Sequence, residues 1–354
     1  MQHADVLIEA DWIIPVEPFG QELRDHAVIV TNGRIVEVCP STSARERYAP
    51  TTHHRLSGHA LVPGLVNTHG HAAMALLRGI ADDLPLMEWL SKHIWPAEAR
   101  LVNEAFVYDG TRLAVSEMMR GGTTCFNDMY FFAGETARAA SELGIRAVIG
   151  LIALDFPTAV AQNADEYIAR GIEIHDQVRH LPLVSTAWAP HAPYTISDKP
   201  LTRIQVLAEE MDVPIHIHVH ETSGEVESAV AESGRRPLAR LHELNLLSPR
   251  LIAVHMTQLK PAEIELAAQC GIHIVHCPES NLKLASGACP VHTLMEAGVN
   301  VALGTDGAAS NNDLDMFAEM RTAALFGKFV ANDAGAVPAA TALKMATLNG
   351  ALAL

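Results

Sequence analysis

Two histidines one residue apart, His69 and His71, close an apolar run that reads Leu61-Val62-Pro63-Gly64-Leu65-Val66-Asn67-Thr68. Alternate side chains of a strand share a face, so both imidazoles can reach one metal ion at the mouth of a sheet or barrel. Imidazole suits zinc and its first-row neighbours. A lone His-x-His is often accidental, but similar groups recur at the ends of later apolar runs. They are Pro190-His191, His216-Ile217-His218-Val219-His220-Glu221, His255, His276-Cys277-Pro278 and Gly304-Thr305-Asp306-Gly307. A metal held by such donors lowers the pKa of its water from roughly 16 to about 7, and nearby carboxylates can move protons. His216, His218 and His220 would share one strand face, and spacing alone does not choose among them.

Short β-branched runs at 61–67, 123–128, 146–153, 183–189, 214–220, 251–255, 273–276 and 300–304 would carry these groups. Amphipathic helical patterns lie between them, at 103–120, 134–143, 201–211, 261–269 and 314–328. Eightfold strand–helix alternation predicts an α/β fold, a (β/α)8 TIM barrel over residues 61–354, with its chemistry at the C-terminal strand ends. A doubly wound open sheet is the second reading, weakened because no Gly-x-Gly-x-x-Gly turn follows the first strand. Residues 1–60 read as a small β-rich module, with 27–31 and 34–38 flanking the hairpin signal Asn32-Gly33. Residues 45–57 are polar and read as loop. Such a module alone leaves an exposed edge or an incomplete core. Either the chain is truncated or the module is smaller than it reads.

Hydrophobic residues make up 49% of the 354, enough for a large core. The net charge of −16, from 25 basic and 41 acidic residues without a Lys/Arg cluster, argues against nucleic acid and anionic membranes as partners. A small molecule is the expected partner. Five cysteines without a Cys-x-x-Cys pair, no secretory n- and h-region, and no run of membrane-spanning length suggest a cytoplasmic protein. A homo-oligomer is the prior expectation.

Taken together, Pro63-Gly64-Leu65-Val66-Asn67-Thr68-His69-Gly70-His71, His218-Val219-His220-Glu221-Thr222, Val254-His255, His276-Cys277-Pro278-Glu279-Ser280-Asn281 and Gly304-Thr305-Asp306-Gly307 resemble the amidohydrolase superfamily. Within it the chain looks like the 5′-methylthioadenosine/S-adenosylhomocysteine deaminases, relatives of triazine chlorohydrolases and guanine deaminases. The resemblance implies a flanking β-sandwich normally built from both chain ends, so that residues 1–60 would be its N-terminal part and its C-terminal strands would be missing after Leu354. It also implies one divalent metal, usually zinc, with iron or manganese as other candidates, held by His69, His71, His218 and Asp306. His218 is singled out by its place three residues before the catalytic glutamate, Glu221. His216 and His220 then become packing or supporting groups. Asp306 would also accept the water proton, His255 would contact the water or the tetrahedral centre, and Glu221 would protonate the ring nitrogen. Trp89, Glu98 and His191 are implied substrate contacts: an aromatic wall, an acceptor for the ribose hydroxyls, and a partner for a purine nitrogen. Strand 183–191 contains no lysine that could be carboxylated, which favours one metal. Relatives that take S-adenosylhomocysteine can use arginines after the third strand. Here residues 147–169 have no Arg or Lys, offering Asp155, Asp165 and Glu166 beside apolar Leu151, Ile152, Leu154, Phe156 and Pro157. This predicts a deaminase preferring methylthioadenosine, unless an arginine from elsewhere, such as Arg78, holds the carboxylate. A deaminase or chlorohydrolase of a free aminated ring is the alternative, and a barrel that has lost its metal and its catalysis is the third reading.

Overall fold

The computed structural model describes residues 1–354, which divide into two units, Met1–Gly64 and Leu65–Leu354. The first holds strands β1 (Gln2–Ile13), β2 (Leu23–Thr31), β3 (Arg34–Pro40) and β4 (Tyr48–Leu61). They form one sheet in the order β3-β2-β1-β4, β1 lying antiparallel to β2 and parallel to β4. β2 turns into β3 at Asn32-Gly33, where φ is 51° and 70°; two positive φ angles give the turn whose twist matches the flanking strands. Ala4, Leu7, Ala27 and Ile29 bury their side chains with Ala44 and Tyr48.

The expected loop at 45–57 is instead the end of a short helix, Ser41–Arg47, followed by most of β4. Ten of the fourteen β4 residues are exposed, so the alternation that betrays a half-buried strand is absent. What makes it a strand is the run of backbone partners that β1 supplies, from Tyr48 to Leu61.

The second unit contains β5 (Leu65–Gly70), β6 (Thr123–Asp128), β7 (Arg146–Ala153), β8 (Val184–Pro190), β9 (Ile215–Val219), β10 (Leu251–His255), β11 (His273–His276) and β12 (Asn300–Leu303). All pair in parallel and in chain order, the (β/α)8 barrel. Its first strand starts later than 61–67. Leu61 ends β4, where its carbonyl accepts the Ile14 N–H at 2.9 Å. Pro63, lacking an N–H, interrupts the ladder, and β5 carries His69 within it.

Helices Glu104–Arg120, Ala133–Leu143, Ala164–Val178, Asp198–Met211, Pro261–Cys270 and Met316–Ala331 alternate with the strands. Asn103, Asn163 and Thr222 cap their helices by accepting the N–H three residues on. On β9, Ile215, Ile217 and Val219 join the large apolar core, so alternation turns His216 and His218 to the interior. The barrel closes between β12 and β5. There the Asn67 amide bridges to Thr305, donating to its Oγ1 (2.8 Å) and accepting its N–H (3.0 Å), and the Asp306 N–H donates to the His69 carbonyl (3.1 Å). A Cβ on Gly304 would sit 2.8 Å from the His69 nitrogen and 2.9 Å from its carbonyl oxygen, so the approach requires glycine. Between β5 and β6, helices Leu86–Trp89 and Trp95–Leu101 are joined by a π turn, Leu90–Ile94, a form often found at functional sites.

Candidate active site

Strand ends bring the histidines together from distant parts of the chain. His69 Nε2 lies 3.2 Å from His218 Nε2 and 3.3 Å from Asp306 Oδ1; His71 Nε2 lies 3.2 Å from the same oxygen. Two donors about 2.05 Å from a tetrahedral zinc are about 3.3 Å apart, and each of these three pairs meets that spacing; His69, His71 and Asp306 form one close group, and His69 is shared with a second that contains His218. His255 joins the group around His69 and His218, with ligand atoms within 4.8 Å of one another. Its Nδ1 hydrogen-bonds Asn281 Oδ1 at 2.8 Å, which leaves Nε2 3.7 Å from Glu221 Oε2.

Backbone conformation decides which side chains point in. His220, His255 and Asp306 have φ of 55°, 75° and 62°, a region histidine and aspartate enter more readily than most residues but still at a cost. His220 therefore leaves the face shared by His216 and His218, and its Nε2 instead accepts the Leu238 N–H at 3.1 Å. His255 follows two interior residues, Ile252 and Val254, out of simple alternation and still meets the site.

Burial pushes His69 down to about 4 and His191 to about 3, and takes His218 well below the usual range; neutral imidazoles are what a metal requires. Burial also opposes charge on His71, but its hydrogen bond and attraction to Asp306 win and raise it to about 9. Asp306, despite burial, is held well below the ordinary carboxylate range by hydrogen bonds with His69 and His71. Glu221 shifts up, because burial and the charge of Asp306 outweigh its neighbour His255.

Above these groups is a cavity of about 510 Å³. His71, His218, Glu221, His255 and Asp306 line it, together with Trp89, Glu98 and His191. His69 lies beneath, fully buried. The Trp89 indole N–H has no protein acceptor. Ile152, Leu154, Phe156 and Pro157 form an apolar wall, and no Lys or Arg borders the cavity. Asp155 turns away to accept the Ser197 N–H (2.7 Å). Arg78, the conceivable outside arginine, pairs with Glu117 at 2.5 Å and does not line the cavity.

Several contributors escaped the sequence reading. Tyr130, 4% exposed, donates its hydroxyl to Glu98 Oε1 at 2.7 Å. Asp128 accepts the Ala72 N–H (2.7 Å) and fixes the turn after His71. Ser280 Oγ donates to Asp306 Oδ2 (2.7 Å). Glu225 accepts the N–H groups of His220 (3.0 Å) and Glu221 (2.7 Å), holding the turn that presents Glu221. Tyr130 and Asp128 stand at or just past a strand end, the signal that had picked out the histidines.

A model of the amidohydrolase family matches residues 60–354. A 5-methylthioadenosine/S-adenosylhomocysteine deaminase of Saccharophagus degradans is 52% identical over 99% of this chain and 79% of its own length. A 5′-deoxyadenosine deaminase of Methanothermobacter thermautotrophicus is 46% identical over 94% of this chain and 77% of its own. The crystal structure of an adenosine deaminase from Xanthomonas campestris with bound zinc superposes with a TM-score of 0.98 at 57% identity, covering 100% of this chain and 80% of that one.

Proposed function

The chain belongs to the amidohydrolase family, and from that premise we propose that it is a zinc-dependent deaminase converting the adenine of 5′-methylthioadenosine to hypoxanthine with release of ammonia. The observation that carries the reading is the cavity itself. It joins His71, His218 and Asp306, with His69 buried beneath them, to Glu221 and His255 at one end, and to Trp89, Glu98 and an apolar wall elsewhere. Of the nucleosides in the relatives' names, 5-methylthioadenosine, which stands there beside S-adenosylhomocysteine, and 5′-deoxyadenosine end in a thiomethyl or a methyl at the sugar's 5′ position, and both groups suit such a wall.

The donor set fits zinc, with His69, His71, His218 and Asp306 as its holders. Bound there, zinc supplies a water acidic enough to attack near neutral pH. Asp306, ionised, accepts a proton from the attacking water. Glu221, shifted toward its protonated form, gives a proton to the purine nitrogen beside the carbon under attack; the proton held by Asp306 then passes to the amino group, which leaves as ammonia while the new hydroxyl returns its proton to Glu221 and becomes the carbonyl. Such transfer is worth about 10²–10⁴-fold. His255, fixed by Asn281, faces the same carbon. His191 binds a ring nitrogen, Trp89 packs against the purine or ribose, and Glu98 accepts from the ribose hydroxyls.

S-adenosylhomocysteine would bring an amino-acid carboxylate to a wall without a cationic partner, where a bidentate arginine is wanted. Methylthioadenosine is therefore the better substrate, by about tenfold or more in kcat/KM, a difference of about 1.4 kcal/mol. The test is ammonia release by the zinc-loaded protein from methylthioadenosine, S-adenosylhomocysteine, adenosine, guanine and an aminotriazine. Turnover of methylthioadenosine that Glu221→Gln abolishes supports the reading. Equal kcat/KM for the two thio-nucleosides overturns the preference, and turnover of free rings alone overturns the nucleoside assignment. Five unpaired cysteines support a cytoplasmic location, and no helix is long and apolar enough to cross a membrane. Homo-oligomeric assembly belongs to the same proposal and is read by light scattering.

A further inference from the structure

The three imidazoles assigned to the metal all turn Nε2 to the centre and anchor Nδ1 elsewhere. His71 Nδ1 donates to the Met129 carbonyl (2.5 Å) and His218 Nδ1 to the His191 carbonyl (2.7 Å). His69 Nδ1 instead lies 2.9 Å from His216 Nε2. Two anchors are main chain; the third is a side chain. His69 is also the ring that meets His71, His216 and His218 edge-on, at centroid distances of 4.8, 4.9 and 4.9 Å.

A ring that gives Nε2 to a metal keeps its proton on Nδ1, so His69 must donate and His216 must accept. His216 then carries its own proton on Nδ1, which is buried and without a protein partner. His220, whose Nε2 accepts the Leu238 N–H, holds the same tautomer with its Nδ1 likewise unpartnered; what sets His216 apart is that the N–H it accepts belongs to His69, whose Nε2 faces His218 and Asp306.

We propose that His216 is a positioning residue for the metal centre: it sets the tautomer and ring plane of His69 and thereby the affinity for zinc. The inference rests on the reading of His69 as a ligand. Orienting partners of ligand histidines typically govern 10–100-fold in metal affinity.

The experiment is zinc competition against a chromogenic chelator by the full chain, its His216→Leu and its His216→Gln variants, with melting of each apoprotein. Leucine fills the space without an acceptor, while the glutamine carbonyl reaches about as far as Nε2. The expected result is about 10–100-fold weaker zinc binding for leucine and recovery to within a few-fold for glutamine, with both apoproteins folded. Wild-type affinity in the leucine variant, or glutamine no better than leucine, overturns the proposal and leaves the deaminase reading intact. A wild-type chain that binds no zinc overturns that reading and this one together. Imidazole nitrogen spectra of the wild type give a test that needs no variant: a proton on Nε2 of His216 overturns the proposal.

Discussion

Removing one buried hydroxyl, Tyr130→Phe, tests whether Glu98 reads the sugar. Tyr130 donates to Glu98 Oε1 at 2.7 Å, so only the other carboxylate oxygen is fully available to a ribose diol. Hydrogen bonds to charged groups are worth about 1.5–3 kcal/mol. Glu98 borders the cavity, so water replaces part of that bond, and the net effect should be about 1.4 kcal/mol, a tenfold loss of kcat/KM. The loss should fall mainly on KM, since Glu98 meets no reacting atom in this scheme. Burial already raises the Glu98 carboxyl, and the tyrosine opposes that rise. Without the hydroxyl the carboxyl rises further, so the acid limb of kcat/KM moves to higher pH. The assay is steady-state deamination of methylthioadenosine by wild type, Tyr130→Phe, Glu98→Ala and the double variant. If the tyrosine acts through the carboxylate, the double variant matches Glu98→Ala. Losses that simply add would refute the reasoning, as would an unchanged KM in the single tyrosine variant.

Two further predictions concern the frame. Burial raises the Glu225 carboxyl from 4.5 to about 7, so between those values the folded chain binds more protons than the unfolded one. Stability is therefore fully present at the acid side and falls as pH rises through 7, by about 2–3 kcal/mol at most after allowing for partial exposure. Glu225→Gln should flatten that slope in urea titrations at several pH values, while lowering stability overall because one amide oxygen replaces two acceptors; an unchanged slope would assign the dependence elsewhere. Gly304→Ala forces a Cβ against the backbone of His69, and should cost about 1–3 kcal/mol and weaken zinc binding in the same variant. An unshifted melting temperature would mean that the seam yields more easily than described.

The barrel was legible because β5 to β12 are apolar and end in residues that apolar cores do not keep without reason, such as His69, His218 and Asp306. β4 was not legible, since its partners are backbone groups of β1 and most of its own side chains meet water. Spacing put His220 beside His218, and a left-handed backbone took it away. His255 reached the site by the same local twist, which no alternation rule encodes. Tyr130 was passed over because its importance lies in contact with Glu98, 32 residues earlier, and a single tyrosine after a strand carries no periodic signal. The truncated edge of 61–67 had a visible cause in Pro63, but the apolar run on both sides of it masked the break.

The seam between β12 and β5 has a consequence for cohesion. His69 and Asp306 stand on its two sides, joined already by the link from Asn67 to Thr305 across 238 positions of sequence. An ion shared by these two residues would be a cross-link between the first and last staves of the barrel, closing most of the second unit into one loop. Because the entropy of closing a loop grows only logarithmically with its length, most of the constraint comes from the fastening itself. Amide exchange in β5 and β12 should then slow together when zinc is added, and the most distant parts of the barrel chain would open as one piece when it is withdrawn.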